Sequence, residues 1–139
     1  MPPREMFLSY SSQDEEMARR LADTLNAHGV PVFFSPRDIQ GAAQWQDVLG
    51  EALARCDWFG LLLSPAAASS MWVKRETKHA LIQPRFDGRI IPLLYQPCDF
   101  TALSWVLPQL QFVDVSGDFD DACRELLKIW GIGYRGQTS

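Results

Sequence analysis

The chain has 139 residues, 47% of them hydrophobic and 12% aromatic, which suits one globular domain with its own core rather than a disordered segment. Seventeen acidic against thirteen basic residues give a formal charge of -4, opposite to the basic footprint of a nucleic-acid surface, so no direct nucleic-acid partner is expected. The scattered Cys56, Cys98 and Cys123 form neither a metal knuckle nor a redox dithiol, and no apolar run reaches bilayer length, so the expectation is a soluble, cytoplasmic protein with no metal site and no membrane partner.

The run Met6-Phe7-Leu8-Ser9-Tyr10 is short and apolar and reads as a buried strand. Ser12-Gln13-Asp14-Glu15 after it has the form of a helix capping box. The helix that follows carries Met17, Leu21 and Leu25 on one face and stops at Gly29, where a positive φ is useful. Val32-Phe33-Phe34 is a second strand, and residues 35–43, with Pro36, Asp38 and Gly41, are a loop. A second helix follows, with Trp45, Val48, Leu49, Ala52, Leu53 and Cys56 along one face. The third strand, Trp58 to Leu63, is apolar throughout, as a strand covered on both faces must be. Ser64-Pro65 ends it, small residues lead into a helix from Met71 to Gln83, and Pro84 terminates the pattern. Ile90 to Leu94 is a fourth strand, residues 95–108 are irregular, Phe112 to Val115 is a brief fifth strand, and Phe119 to Trp130 is the last helix. The stretch after Gly131 reads as loose.

Strands alternating with helices through short connections imply a parallel sheet with right-handed crossovers and helices on both faces. At this size the expected fold class is α/β, a flavodoxin-like three-layer fold with a five-stranded parallel sheet in the order 2-1-3-4-5. One domain is expected over residues 1–134, with 135–139 a loose tail or the start of a linker to further domains.

In such a sheet ligands bind beyond the carboxyl ends of the strands, where neighbouring connections leave to opposite faces. Those ends supply Ser9, Tyr10 and Ser11 after the first strand and Ser64 after the third, with Trp72 and Glu76 on the following helix. A phospho-accepting receiver needs acidic residues after the first strand, an aspartate after the third and a lysine after the fifth; Ser-Tyr-Ser, Ser64-Pro65 and Val115-Ser116 stand there instead. The first loop has no glycine, and neither a P-loop nor a Gly-x-Gly-x-x-Gly turn occurs, which disfavours mononucleotide phosphate cradling.

Phe7-Leu8-Ser9-Tyr10-Ser11-Ser12-Gln13-Asp14 resembles the first signature box of Toll/interleukin-1 receptor (TIR) domains, especially bacterial ones. Asp38-Ile39-Gln40-Gly41 followed by Trp45 is similar to that family's BB loop, although Gln40 stands where a proline is frequent. Ser70-Met71-Trp72-Val73-Lys74-Arg75-Glu76 resembles its Ser-x-Trp-x-x-x-Glu stretch, and Arg89 to Leu94 its fourth strand. Four segments in the expected order make the resemblance far more specific than any single motif.

The resemblance implies one of two activities. Enzymatic members break the nicotinamide-ribose bond of NAD to give nicotinamide and ADP-ribose or a cyclic isomer; others are non-enzymatic scaffolds that recruit further TIR domains. On the enzymatic reading NAD is the substrate, no cofactor is needed, and Glu76 is the catalytic carboxylate. Nicotinamide leaves as a neutral base without a general acid, while a carboxylate stabilises the oxocarbenium-like ribose. Trp72, one turn earlier on the same face, would wall the pocket, and Phe7, Ser9, Arg37 and Asp38 would line it or bond ribose and phosphate. The resemblance further implies homo-oligomerisation through the loop at Gly41, an aromatic from Tyr95, Phe100 or Trp105 closing over substrate, and a role in bacterial immune defence.

Ordinary readings stand beside these. By pattern alone, Lys74-Arg75-Glu76-Thr77-Lys78 reads as a solvated helix face, Trp72 and Trp45 as core, Ser9 as a hydroxyl satisfying backbone at a strand end, and Arg37 with Asp38 as a surface pair. His28 is a helix-end residue, and a nucleophilic Cys98 and His79 pair lacks a third orienting group.

Overall fold

The computed structural model describes residues 2–34 and 42–135, without the side chains of residues 42–46 and of Phe100. Five strands, β1 (Met6–Ser9), β2 (Val32–Phe34), β3 (Trp58–Leu63), β4 (Ile90–Leu94) and β5 (Val113–Asp114), form one parallel sheet in the order 2-1-3-4-5. The helices are α1 (Glu15–Ala27), α2 (Ala42–Arg55), a single turn α3 (Pro65–Ala68), α4 (Met71–Leu81) and α5 (Phe119–Lys128). This is the flavodoxin-like architecture that the alternation of elements predicts.

The pleat divides each strand between two cores, because successive side chains point to opposite faces. Met6 and Leu8 of β1, with Leu62 and Leu93, face α1 and α5. Phe7 of β1, with Phe59, Leu61 and Leu63, faces α2 and α4. A strand that feeds both cores has no face left for water, which is why β3 reads as an unbroken apolar run and lies at the centre of the sheet. Its glycine is a consequence of packing: a Cβ on Gly60 would meet the Met6 Cε at 2.1 Å. Phe7 lies with its ring centroid 5.3 Å from that of Phe33 and 5.5 Å from that of Phe59, the latter nearly parallel. Such pairs add about 0.5 to 1.5 kcal/mol each beyond area burial.

Several boundaries differ from the sequence expectation, each for a local reason. The chain enters α1 through a 3-10 turn at Ser12–Asp14, and the cap is Ser11, whose hydroxyl accepts from Gln13 N at 3.3 Å, rather than Ser12. Helix α2 already begins at Ala42, and α4 ends at Leu81, where Pro84 opens a short 3-10 turn that closes on Gly88 at φ +72°. Strand β5 is only two residues long, since its pairing with β4 is confined to Leu93 and Leu94. Gly29 ends the first helical unit at φ +82°, as its position after the periodic run suggests.

Residues 131–135 are not loose. Ile132 and Tyr134 pack against the α1/α5 core, the Tyr134 ring stacks on His28 at 5.3 Å, and the Tyr134 hydroxyl donates to Asp120 at 2.7 Å. His28 Nδ1 lies 2.7 Å from the Thr24 carbonyl, and Arg135 N donates to His28 Nε2 at 2.9 Å. The helix-end histidine thus holds the segment that follows α5. Among the described residues no helix is long and apolar enough to cross a membrane.

Candidate active site

Beyond the carboxyl ends of β1 and β3 the chain leaves in opposite directions, to α1 on one face of the sheet and to α3 and α4 on the other. Register places Ser9 beside Leu61, two residues before the end of β3. Ser9 follows Phe7 at the two-residue period of the strand, so it points to the α2/α4 side, where α4 crosses.

Helix α4 carries a carboxylate into this space. Ser70 caps it by accepting from Val73 N at 3.3 Å, and Val73, Glu76, Thr77 and Ala80 form the buried stripe at helical spacing. The stripe explains why a glutamate in a lysine-rich and arginine-rich stretch is not solvated: Arg75 and Lys78 lie on the exposed side, while Glu76 is 0% exposed. Ser9, also fully buried, donates its hydroxyl to Glu76 Oε1 at 2.6 Å. That length falls in the range of charge-assisted O–H···O bonds. Burying a carboxylate away from water is costly unless hydrogen bonds compensate it, so this pair is a specific feature of the chain's interior rather than a packing accident.

Trp72 lies one turn before Glu76 and is half-buried against the same core, at the end of α4 nearest the strand termini. Phe7 shares the face with Ser9 but is 0% exposed between Phe33 and Phe59, so it forms the floor beneath the serine. Arg37, Asp38 and Gly41 lie outside the described residues. Tyr95 packs on the opposite, α1/α5 side of the sheet, whereas Trp105 is 72% exposed. His79 is exposed on α4, within 3.4 Å of the Gln83 side-chain nitrogen. Cys98 packs against the α2/α4 core, and burial pushes its thiol up, the reverse of what a nucleophile needs. Among the described residues no cluster of three metal-ligating side chains occurs.

A second buried polar pair stands beside the first, and the sequence offered no sign of it. Ser64, 0% exposed directly after β3, donates its hydroxyl to the Asp14 carboxylate, 7% exposed at the entry to α1. The same hydroxyl oxygen accepts from Ala67 N at 3.0 Å and so caps α3. Serine after a strand and aspartate at a helix start are each explained locally as caps, so nothing in the linear pattern connects positions 14 and 64. By contrast, a cavity of about 490 Å³ bordered by Trp58, Ile82, Phe86 and Ile129 opens at the other end of the sheet, near the start of β3 and β4, and takes no part in this chemistry.

The parallel 2-1-3-4-5 sheet and its buried serine–glutamate pair at the switch point define a doubly wound domain with a candidate catalytic carboxylate. The family model described as TIR domain matches residues 6–127, and the chain belongs to the TIR-domain family. No curated protein matches it significantly. Among solved structures it is similar to the TIR domains of the activated Roq1 resistosome that recognises the pathogen effector XopQ, at 18% identity and TM-score 0.70, covering 90% of this chain and 98% of that one. It is also similar to the TIR domain of the Toll-related receptor TRR-2 from Hydra magnipapillata, at 19% identity and TM-score 0.72, covering 89% and 95%. A TIR-STING receptor from C. gigas, solved in complex with 2',3'-cGAMP, matches at 26% identity and TM-score 0.68 over 84% of this chain and 36% of that one. At 18% and 19% identity, the first two likenesses are of fold alone.

Proposed function

We propose that this TIR domain is an NAD nucleosidase, with Glu76 as the catalytic carboxylate, and that it acts when copies assemble. The observation that carries the reading is the buried Glu76 carboxylate held by Ser9 at the carboxyl edge of β1, at the one place in this fold where a ligand meets both crossover connections. In the reaction the bond between ribose C1' and the nicotinamide nitrogen breaks, and the electron pair leaves with neutral nicotinamide. Positive charge develops on the ribose, and a preorganised carboxylate in a water-poor site stabilises it. Water then adds at C1' and releases a proton, giving ADP-ribose; attack by an adenine nitrogen would give a cyclic isomer instead. Trp72 offers an indole face for nicotinamide at the mouth of the same space. Arg37 and Asp38 remain proposed contacts for phosphate and ribose, and Gly41 a proposed contact between copies.

Full burial of Glu76 in a single chain means that substrate reaches it only after the crevice opens. Assembly of TIR domains would supply that opening, and the likeness to the TIR domains of a resistosome agrees with association of copies. The same burial favours the second reading, a non-enzymatic TIR–TIR interaction module in which Ser9 and Glu76 only hold the sheet to α4. Nicotinamide release from NAD, followed by chromatography with the protein clustered on a multivalent support, separates the two. The expected result is release by the wild type and a loss of at least about 100-fold in Glu76→Gln, the scale of removing one preorganised charge-stabilising group. Folded, clustered wild type that releases no nicotinamide would leave the interaction module as the function.

A further inference from the structure

The two buried hydrogen bonds at the switch point are crossed. The serine of β1, Ser9, reaches α4, the helix that follows β3. The serine after β3, Ser64, reaches Asp14 at the start of α1, the helix that follows β1. Each hydroxyl has a single donor, and each spends it on a carboxylate of the other unit. Because α1 and α4 lie on opposite faces of the sheet, the pair of bonds laces the two connections together where they diverge.

We propose that Asp14 and Ser64 are positioning residues for the site of Ser9 and Glu76. Asp14 is the fifth residue after Ser9, and the stretch that joins them holds the Ser11 cap and the 3-10 turn, in which Asp14 N donates to the Ser11 carbonyl at 2.8 Å. Fixing Asp14 therefore fixes the end of β1 from which Ser9 projects. Ser64 works in the same way on the other side: by capping the start of α3 through Ala67 N it holds that single turn in place, and Ser70 N, bonded to the Ala67 carbonyl at 3.1 Å, passes that position to the start of α4. The Asp14–Ser64 bond thus joins both arms that carry the Ser9–Glu76 bond. A cap alone needs no buried carboxylate, and Asp14 makes no side-chain cap bond to α1. Its carboxylate at 7% exposure is accounted for by Ser64.

The proposal rests on the NAD reading for its kinetic consequence and not for its structural one, so the test has two arms on the full chain. In the kinetic arm, clustered Ser64→Ala and Asp14→Ala are expected to lose at least about tenfold in kcat with KM within about threefold of wild type, since a displaced catalytic group costs rate more than binding. Asp14→Asn, whose side-chain oxygen still accepts from Ser64, is expected to recover to within about threefold of wild type. In the folding arm, urea unfolding of Ser9→Ala, Ser64→Ala and the double variant is read as folding constants. The double variant should depart from the product of the single effects by about threefold or more, as coupled sites do. Coupled folding constants with silent wild-type kinetics would remove the NAD reading and leave the lacing intact. Additive folding constants, or an active wild type whose Ser64→Ala and Asp14→Ala variants keep full kcat, would overturn the positioning role.

Discussion

Replacing Ser9 by alanine removes one oxygen from a fully buried site and leaves every carbon in place. The lost bond is the 2.6 Å donation to Glu76 Oε1, and both residues are 0% exposed, so water cannot easily take the place of the hydroxyl. Hydrogen bonds to charged groups contribute about 1.5 to 3 kcal/mol to stability, and the cost of leaving a buried acceptor short lies in the same range. Ser9→Ala is therefore expected to lower the unfolding free energy by about 2 kcal/mol, or the melting temperature by roughly 5 to 8 °C for a domain of this size. Glu76→Gln is expected to cost less than Ser9→Ala, because the glutamine carbonyl still accepts from Ser9 while no charge is buried. In the Glu76→Gln background, Ser9→Ala should then cost only about 1 kcal/mol, the value of a neutral bond. The assay is urea unfolding followed by tryptophan fluorescence and far-ultraviolet circular dichroism, with the midpoint compared at constant slope. An equal cost for Ser9→Ala in both backgrounds would refute the argument that the hydroxyl serves the Glu76 charge.

Phe7→Ala should cost about 3 to 5 kcal/mol in the same unfolding experiment, since its ring is fully buried between Phe33 and Phe59, and Phe7→Leu should cost less than half as much. Gly29→Ala should cost about 1 kcal/mol although nothing lies within 4 Å of the added carbon, because the penalty is purely that of φ +82°; no loss of stability would show that the turn relaxes. The Tyr134 phenol is pushed up to about 12, chiefly by its donated bond to the Asp120 carboxylate. A raised folded value means stability that is fully present below the ordinary 10.0 and lost as pH climbs toward about 12. Absorbance titration of the three tyrosines should show a late component that Tyr134→Phe removes, and its persistence in that variant would exclude the assignment.

Much of the fold was legible in the linear pattern because it depends on local chemistry. The unbroken apolar run of Trp58 to Leu63 marks a strand with two covered faces, and Gly29 and Pro84 mark helix ends through backbone geometry alone. The alternation of strand and helix then leaves few topologies, and the observed order is the one expected. The short motif spacing also placed Glu76 at the switch point, and the family match over residues 6–127 agrees with the four motifs read from the sequence. Pattern by itself, however, favoured a solvated face for Glu76. Only the stripe of Val73, Glu76, Thr77 and Ala80 against the sheet turned it inward, because burial is a property of what covers a residue and not of its charged neighbours. Ser9 lies 67 positions from Glu76 and Ser64 lies 50 from Asp14, distances along the chain at which no periodicity carries information. The docking of Tyr134 and Arg135 on His28 escaped for the same reason: glycine and polar residues after a helix read as loose until α1 is found beside them. Sequence determined which elements form and in what order they stack; tertiary structure decided which polar groups lose their water, and so which of them must find each other.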